Sequence, residues 1–544
     1  MDTAVIVMII LCIIYVPIWF WVWRNPEKAA KYHLQKYGPT IMIKTSLGIK
    51  AMGKIGKYRR FWLVFGFISK LLSAVLFFLM MYMLIVAIIA LPSRIGNGGI
   101  GIQYALAIPG FNPMLPLTYG ILALFVAMVV HEMGHGIQSR ANGVDVNSTG
   151  LLYGVVPLGA FCEPDDEQLR ASSRRVQMDV YSAGISVNTF VAAISFVIML
   201  LLVSSISVAD FGQDQDASDM PGVYYIAADS PAYESGIPTS ALILGIREVG
   251  ETEFHDVEAQ VNDRVVSFTY VDKSLDAISP AKKYEVKYAL EDGITETTEP
   301  LQLGTYINTV TSNSPAQSMG LEKQTFLYSI TLTRDGQTFD EAFISNIYDF
   351  QEFMSTTKAG DLAVVKTVTW AKEGEPEIVE HPQYALTSSG SQGYLGIATT
   401  DSGFTMTTPT IMLDKSVQPF YGAVTPIDYV QGLFKYLAGP FNGLDPIPNA
   451  IKWWYDAPMG DAGWIIIKTM FWIFWLDILL AISNALPAYP FDGGFLFEGG
   501  INWLLERLGI KDEEKRKKMS QSASNAVSSV ILIMFALVLL TFII

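Results

Sequence analysis

The sequence predicts a polytopic α-helical membrane protein of about six spans, with a β-rich α+β module inserted on the extracytoplasmic side. Long apolar runs recur near residues 4–23, 71–92, 115–138, 180–208, 464–486 and 525–544, each long enough to cross a hydrocarbon layer of about 30 Å. Between the fourth and fifth runs the pattern changes to short β-rich stretches separated by Gly, Asp and Ser. Charge divides the same way: residues 209–462 hold 36 Asp and Glu against 14 Lys and Arg, and the rest of the chain holds 16 against 23. With 51% hydrophobic residues and a mean hydropathy of +0.33, the chain is too apolar for one soluble domain.

The first run follows Met1-Asp2-Thr3, which has no positive charge, and ends in Ile18-Trp19-Phe20-Trp21-Val22-Trp23 without a small-residue cleavage site. It therefore reads as an anchor and not as a signal peptide. The stretch after it carries Arg24, Lys28, Lys31, Lys36, Lys44, Lys50, Lys54, Lys57, Arg59 and Arg60, and further Lys and Arg follow spans three and five. The loop Ser93–Met114 has only Arg94. By the positive-inside rule the N-terminus is outside, the basic loops are cytoplasmic and residues 209–463 are extracytoplasmic. An acidic exterior and a basic inner side fit a lipid bilayer and exclude nucleic acid as a partner. Cys12 lies in a span and Cys162 in an inner loop, so no disulfide framework is expected.

These features divide the chain into the first two spans (1–114), a first core part (115–208), the external module (209–407), an interfacial connecting segment (408–463) and a second core part with the last span (464–544). Trp453-Trp454-Tyr455 in the connecting segment suggests an aromatic belt at the outer interface. Within the module, Ser230-Pro231-Ala232 with Gly236-Ile237 matches Ser314-Pro315-Ala316 with Gly320-Leu321, and a strand-like run precedes each. A module of about 80 residues is present twice.

The chemistry concentrates in span three at His131-Glu132-Met133-Gly134-His135. On a helix, residues i and i+4 share a face, so both imidazoles can meet one divalent ion, zinc above all, with Glu132 beside it as general base. Three ionisable groups at membrane depth are costly unless paired or metal-bound. A catalytic zinc site takes three protein ligands. Span five reaches the same depth at Asn484-Ala485-Leu486-Pro487-Ala488-Tyr489-Pro490-Phe491-Asp492-Gly493-Gly494, where two prolines end the helix. Irregular backbone at that depth must line a buried or wet cavity, which makes Asp492 the third ligand. Asp477 competes from within the same span but lies too far outward. His33, His255 and His381 lie in the basic inner stretch or the external module and are poor candidates.

H-E-x-G-H in one span, Asn-x-x-Pro-x-x-x-x-Asp-Gly-Gly in another, and a repeat between them resembling PDZ domains together resemble the site-2 protease family of intramembrane zinc metalloproteases. Pro157–Phe161 is similar to the family's membrane-associated hairpin. Ala183-Gly184-Ile185-Ser186-Val187-Asn188 is similar to its Ala-Gly-Pro-x-x-Asn helix start, with Ile185 for Pro. The resemblance covers about 115–208 and 464–505. It implies one Zn²⁺ per chain, hydrolysis of peptide bonds in or near transmembrane segments, and Asn188 and Asn484 as residues that hold the substrate backbone. It also implies membrane-protein substrates, with peptide ends or ectodomains meeting the PDZ-like module. The second copy matches PDZ domains better, since the first lacks the usual Gly-Asp after Leu244. Two other readings compete: a membrane-anchored peptide-binding scaffold with a vestigial metal site, and a prenyl-protein-processing peptidase, which would use a Glu ligand on a helix.

Overall fold

A computed structural model describes residues 3–91, 108–109, 111–112, 115–155, 157–210, 217–262, 265–372, 374–390, 392–417, 423–438 and 449–540. The expected outer loop with Arg94 falls almost entirely outside the described residues. The chain forms two compact units, one of residues 1–204, 433–445 and 461–544, the other of residues 205–432 and 446–460.

The first unit is helical. Its main elements in chain order are α1 (Thr3–Arg24), β1 (Leu34–Tyr37), β2 (Thr40–Thr45), α2 (Ile49–Gly56), α3 (Arg59–Ile89), α4 (Leu117–Ala141), β3 (Val146–Tyr153), β4 (Pro157–Pro164), α5 (Arg174–Val203), α6 (Asp461–Asn484), α7 (Asp492–Arg507) and α8 (Glu513–Leu540). Among the described residues, α3, α4, α5, α6 and α8 are long and apolar enough to cross a membrane. The first expected span corresponds to α1, described as a shorter apolar helix over Ile10–Arg24. Several helices outrun the apolar stretches that announced them. Helix α3 begins at Arg59 instead of near residue 71, because an α-helix pairs its own backbone in water as well as in lipid.

Small residues set the packing in this unit. A Cβ on Gly134 would come within 3.0 Å of the Ala183 carbonyl, so α4 and α5 approach closely there, as spans without a hydrophobic driving force between them do. Leu76, Ile185, Ala481, Ile482 and Ala485 form a buried cluster joining α3, α5 and α6.

The basic stretch 24–60, expected only as a cytoplasmic loop, contains two strands. β1 and β2 form a hairpin around Gly38-Pro39, with Tyr37 opposite Thr40, and Gly38 takes the positive φ of 56° that its turn requires. β2 then pairs with β3 and β3 with β4, giving a four-stranded antiparallel sheet in sequence order with β4 at one edge.

The second unit is β-rich. Its main strands are β5 (Gly222–Ile226), β6 (Leu242–Glu248), β7 (His255–Asn262), β8 (Val265–Tyr270), β9 (Lys283–Ala289), β10 (Thr305–Val310), β11 (Thr325–Arg334), β12 (Leu362–Thr369), β13 (Ile397–Asp401) and β14 (Phe404–Thr407). One continuous path runs β9-β6-β5-β14-β13-β10-β11-β12. The hairpin β13–β14 thus serves both copies of the repeat: β14 pairs with β5 of the first, and β13 with β10 of the second. The copies match in detail. Ser230 and Ser314 each cap a short helix, and each lies under a positive-φ glycine of the returning hairpin, Gly403 and Gly396 respectively. Their later elements differ. The second copy places the helix Ile347–Ser355 between β11 and β12, whereas the first has the hairpin β7–β8 between β6 and β9.

Within the connecting segment 408–463, two of the three aromatic residues that suggested an interfacial belt, Trp454 and Tyr455, are core residues of the β-rich unit. Trp454 is fully buried, donates its indole N–H to the Ser240 carbonyl at 2.8 Å and lies where a Cβ on Gly222 would clash, while Tyr455 pairs with Val208. An indole that finds both an apolar seat and an acceptor inside the β-rich unit belongs to that unit's core.

Candidate metal centre

Helix α4 puts His131 and His135 one turn apart, with their Nε2 atoms 3.2 Å from each other. Asp492, the first residue of α7, brings Oδ2 to 3.2 Å from each of those nitrogens. The three form the one group of metal-competent side chains found among the described residues. Two His nitrogens and a carboxylate oxygen are a donor set for zinc, whose ligand bonds of about 2.0–2.1 Å put neighbouring tetrahedral ligand atoms about 3.3 Å apart. The observed triangle fits that spacing.

Surrounding residues fix each ligand. The Nδ1 of His135 lies 2.8 Å from the Val180 carbonyl, so that nitrogen carries the proton and Nε2 offers its lone pair to the centre. Gly184 lies under both rings: a Cβ there would stand 2.4 Å from His135 Nε2 and 2.7 Å from His131 Cε1. Asp492 is presented by a broken segment held at several points. A Cβ on Gly493 would meet the Ala485 carbonyl oxygen at 2.4 Å, so only glycine lets α7 start so close to the end of α6. The Tyr489 N–H, left free where the helix breaks, donates to the Ser528 hydroxyl of α8 at 3.1 Å, and the Tyr489 hydroxyl donates to Glu498.

Glu132 lies beside the triangle and accepts the Cys162 backbone N–H of β4 at 2.6 Å. It shares a polar chamber of about 930 Å³ with His135, Cys162, Tyr181, Asp492 and Lys517. A carboxylate, water-accessible space and three convergent ligand atoms therefore coincide.

The other sequence candidates make contacts of their own. Asp477 is fully buried on α6 with neither carboxylate oxygen hydrogen-bonded, and it is not a member of the ligand group. Asn188 is fully buried on α5, donating to the Ala127 carbonyl at 3.2 Å while its Oδ1 is left unpaired. Asn484 donates to the Leu480 carbonyl of its own helix at 3.0 Å. Neither asparagine lines the polar chamber. His33 is exposed in the turn before β1, and His255 and His381 belong to the β-rich unit.

A sequence profile of Peptidase family M50 matches residues 119–537, a range that takes in both halves of the centre. The chain belongs to Peptidase family M50, the site-2 protease family. An uncharacterized protein of Methanocaldococcus jannaschii is 26% identical over 301 residues, covering 54% of this chain and 70% of that protein. Family M50 membership and the apolar helices together make this a multi-pass membrane protein of the metalloprotease class. For an M50 protein, the contacts that sequence reading missed are the Val180 carbonyl behind His135, the Cys162 amide on Glu132 and Ser528 under the Asp492 segment. None carries a motif, since two act through backbone atoms and the third is a serine among many on α8.

Proposed function

We propose that the protein is an intramembrane zinc endopeptidase that hydrolyses peptide bonds in or near transmembrane segments of membrane-protein substrates, in regulated intramembrane proteolysis. The observation that carries this reading is the equal 3.2 Å triangle of His131, His135 and Asp492 beside a half-buried Glu132. Zinc, when bound, supplies a Lewis acid that lowers the pKa of water toward 7 and polarises a carbonyl. Glu132 takes the proton of the attacking water and passes it to the leaving amine. The Cys162 amide keeps the carboxylate aimed along the chamber. Asn188, with an unpaired Oδ1 one turn beyond Gly184, and Asn484 are read as residues that steady the substrate backbone once a bound segment draws their side chains toward it.

A helical substrate hides its amides in internal hydrogen bonds and must unwind before hydrolysis. Among the described residues no strand pairs with the outer edge of β4, and that edge supports a way to hold it: an extended segment adds to the sheet as a fifth strand beside Glu132. In the β-rich unit, the second PDZ-like copy is read as the peptide-end or ectodomain contact. Its strand β13 pairs with β10 on one side and touches β14 only at Asp401 and Phe404, with the helix Ile347–Ser355 nearby. The basic loops support an orientation in a cell membrane with the metal centre toward the cytoplasm and the β-rich unit outside. A vestigial scaffold would be expected to lack one of His131, Glu132, His135 or Asp492, and all four are present.

The deciding experiment pairs metal analysis with cleavage. Glu132→Gln should lower turnover of a transmembrane substrate by about 10²–10⁴-fold while zinc content stays near one per chain, since the amide cannot accept a proton and is not a ligand. Unchanged turnover in that variant sinks the mechanism.

A further inference from the structure

Glu132 and Cys162 border a second cavity besides the polar chamber. It measures about 290 Å³ and lies among the four-stranded sheet, α2 and α4. Ile43, Val129, Met133, Leu151, Ala160 and Phe161 line it, and Glu132 is its only charged residue among those described. The general base thus stands on the wall between a polar space and an apolar one.

We propose that this apolar cavity is the subsite for the side chain of a residue flanking the scissile bond, and that it selects large apolar side chains. The inference rests on the peptidase reading and deepens it. A general base acts within about 3 Å of the proton it takes, or through one water, so the bond under attack lies within a few ångströms of Glu132. Residues on either side of that bond are then within a side chain's reach of both cavities. An extended segment sends successive side chains to opposite faces, so when one flanking residue points into the chamber its neighbour points away from it. The space on that other side, reached past Glu132 and Cys162, is lined by aliphatic and aromatic carbon.

A Leu or Phe placed there gains contact with that carbon. An Asp loses its hydration and finds no cation among the described lining residues. Filling an apolar subsite with one more or one fewer carbon changes kcat/KM by about 10–200-fold, so the preference for Leu over Ala should reach that range. A lipid acyl chain is the competing occupant. It accounts for the apolar lining but not for the cavity's sharing of Glu132 and Cys162 with the metal chamber.

The test uses the full-length, zinc-loaded protein and a substrate whose cleavage site has been mapped, with each flanking residue varied among Leu, Phe, Ala and Asp. At one of the two positions Leu and Phe should exceed Ala by tenfold or more, and Asp should be poorest. Val129→Phe, and separately Ala160→Leu, fill the cavity from helix and strand. Each should cut the Leu-to-Ala ratio at that position at least tenfold while zinc content holds. No preference at either position, or an unchanged ratio in both variants, overturns the proposal.

Occupancy is also read without catalysis. In a Cys12→Ser, Glu132→Gln protein, Cys162 is the single thiol, and a Leu-rich peptide should slow its alkylation by N-ethylmaleimide severalfold relative to an Asp-substituted peptide. Equal rates with the two peptides, or protection by an acyl-chain amphiphile alone, reject the subsite. If the zinc-loaded wild type cleaves nothing, the peptidase reading fails on its own, and the alkylation result still decides what the cavity holds.

Discussion

Asp492 in the helical unit and Asp361 in the β-rich unit are both carboxylates withdrawn from water, and their surroundings differ in kind. Arg334 donates to both oxygens of Asp361, at 2.7 and 2.6 Å, and the Lys358 N–H adds a third bond at 2.7 Å. The guanidinium beside it holds the Asp361 carboxyl below the usual range. That carboxylate is saturated by the protein itself. Asp492 instead faces two imidazole nitrogens, one of them fixed as an acceptor because the Nδ1–H of the same His135 ring donates to the Val180 carbonyl. Lone pairs that converge within 3.2 Å repel one another unless a cation lies among them. The difference teaches how to tell a buried charge that stabilises a fold from one that awaits a ligand: the first is paired by fixed donors, the second by other acceptors.

The largest effect expected from this contrast is on metal binding. A site worth about 10–16 kcal/mol, shared over three or four ligands, loses about 4 kcal/mol with one of them, or on the order of 10³-fold in affinity. Asp492→Asn should show that loss in a metal-competition titration, and Asp477→Asn should bind metal like the wild type. The reverse ranking would transfer the third ligand to Asp477 and end the comparison in its present form.

A smaller effect tests the cradle instead of the ligands. Gly184→Ala puts a methyl group 2.4 Å from His135 Nε2, so the rings must shift or α5 must retreat from α4. Affinity for zinc should fall about 10–100-fold, as when an orienting neighbour of a metal ligand is lost. Asp361→Asn should leave metal binding untouched. Wild-type affinity in Gly184→Ala would mean that the rings have room the structure does not give them.

Legibility in the chain tracks the range of the interactions concerned. His131, Glu132 and His135 are legible because one helical turn fixes their geometry, and Asp492 because two prolines announce a break at the right depth. The apolar spans are legible by length, although their ends are not, since helices continue past the lipid. The strands 34–37 and 40–45 are hidden within a basic stretch, where only their pairing with a strand more than 100 residues away makes them a sheet. The repeat is visible in its two Ser-Pro-Ala motifs. Its third part, the hairpin carrying Gly396 and Gly403, lies far from both copies in sequence and is not. Trp454 reads as an interface residue by composition and becomes a core residue only because Ser240 supplies an acceptor.

The finest test of the contrast uses a third buried carboxylate, Asp401, which has neither a fixed cation nor converging imidazoles. It is 4% exposed, and burial pushes its pKa up to about 7 against the hydrogen bond from the Ile347 N–H at 2.7 Å, with Asp349 nearby adding to the rise. The folded unit therefore keeps this proton to higher pH than the unfolded chain, which releases it near pH 4. Between those values the native state binds more protons, so stability is full below about pH 4, falls as pH rises and levels off above about pH 7. Each pH unit in that window costs about 1.4 kcal/mol, or about a tenfold drop in protection. Hydrogen exchange at the amides of the helix Ile347–Ser355, corrected for the intrinsic effect of pH, should show that drop between pH 5 and 6. Asp401→Asn keeps an acceptor for the Ile347 N–H, removes the titration and should flatten the dependence. A wild-type profile that is already flat would mean that Asp401 is ionised and paired like Asp361, and an unchanged slope in Asp401→Asn would assign the titration to Asp349.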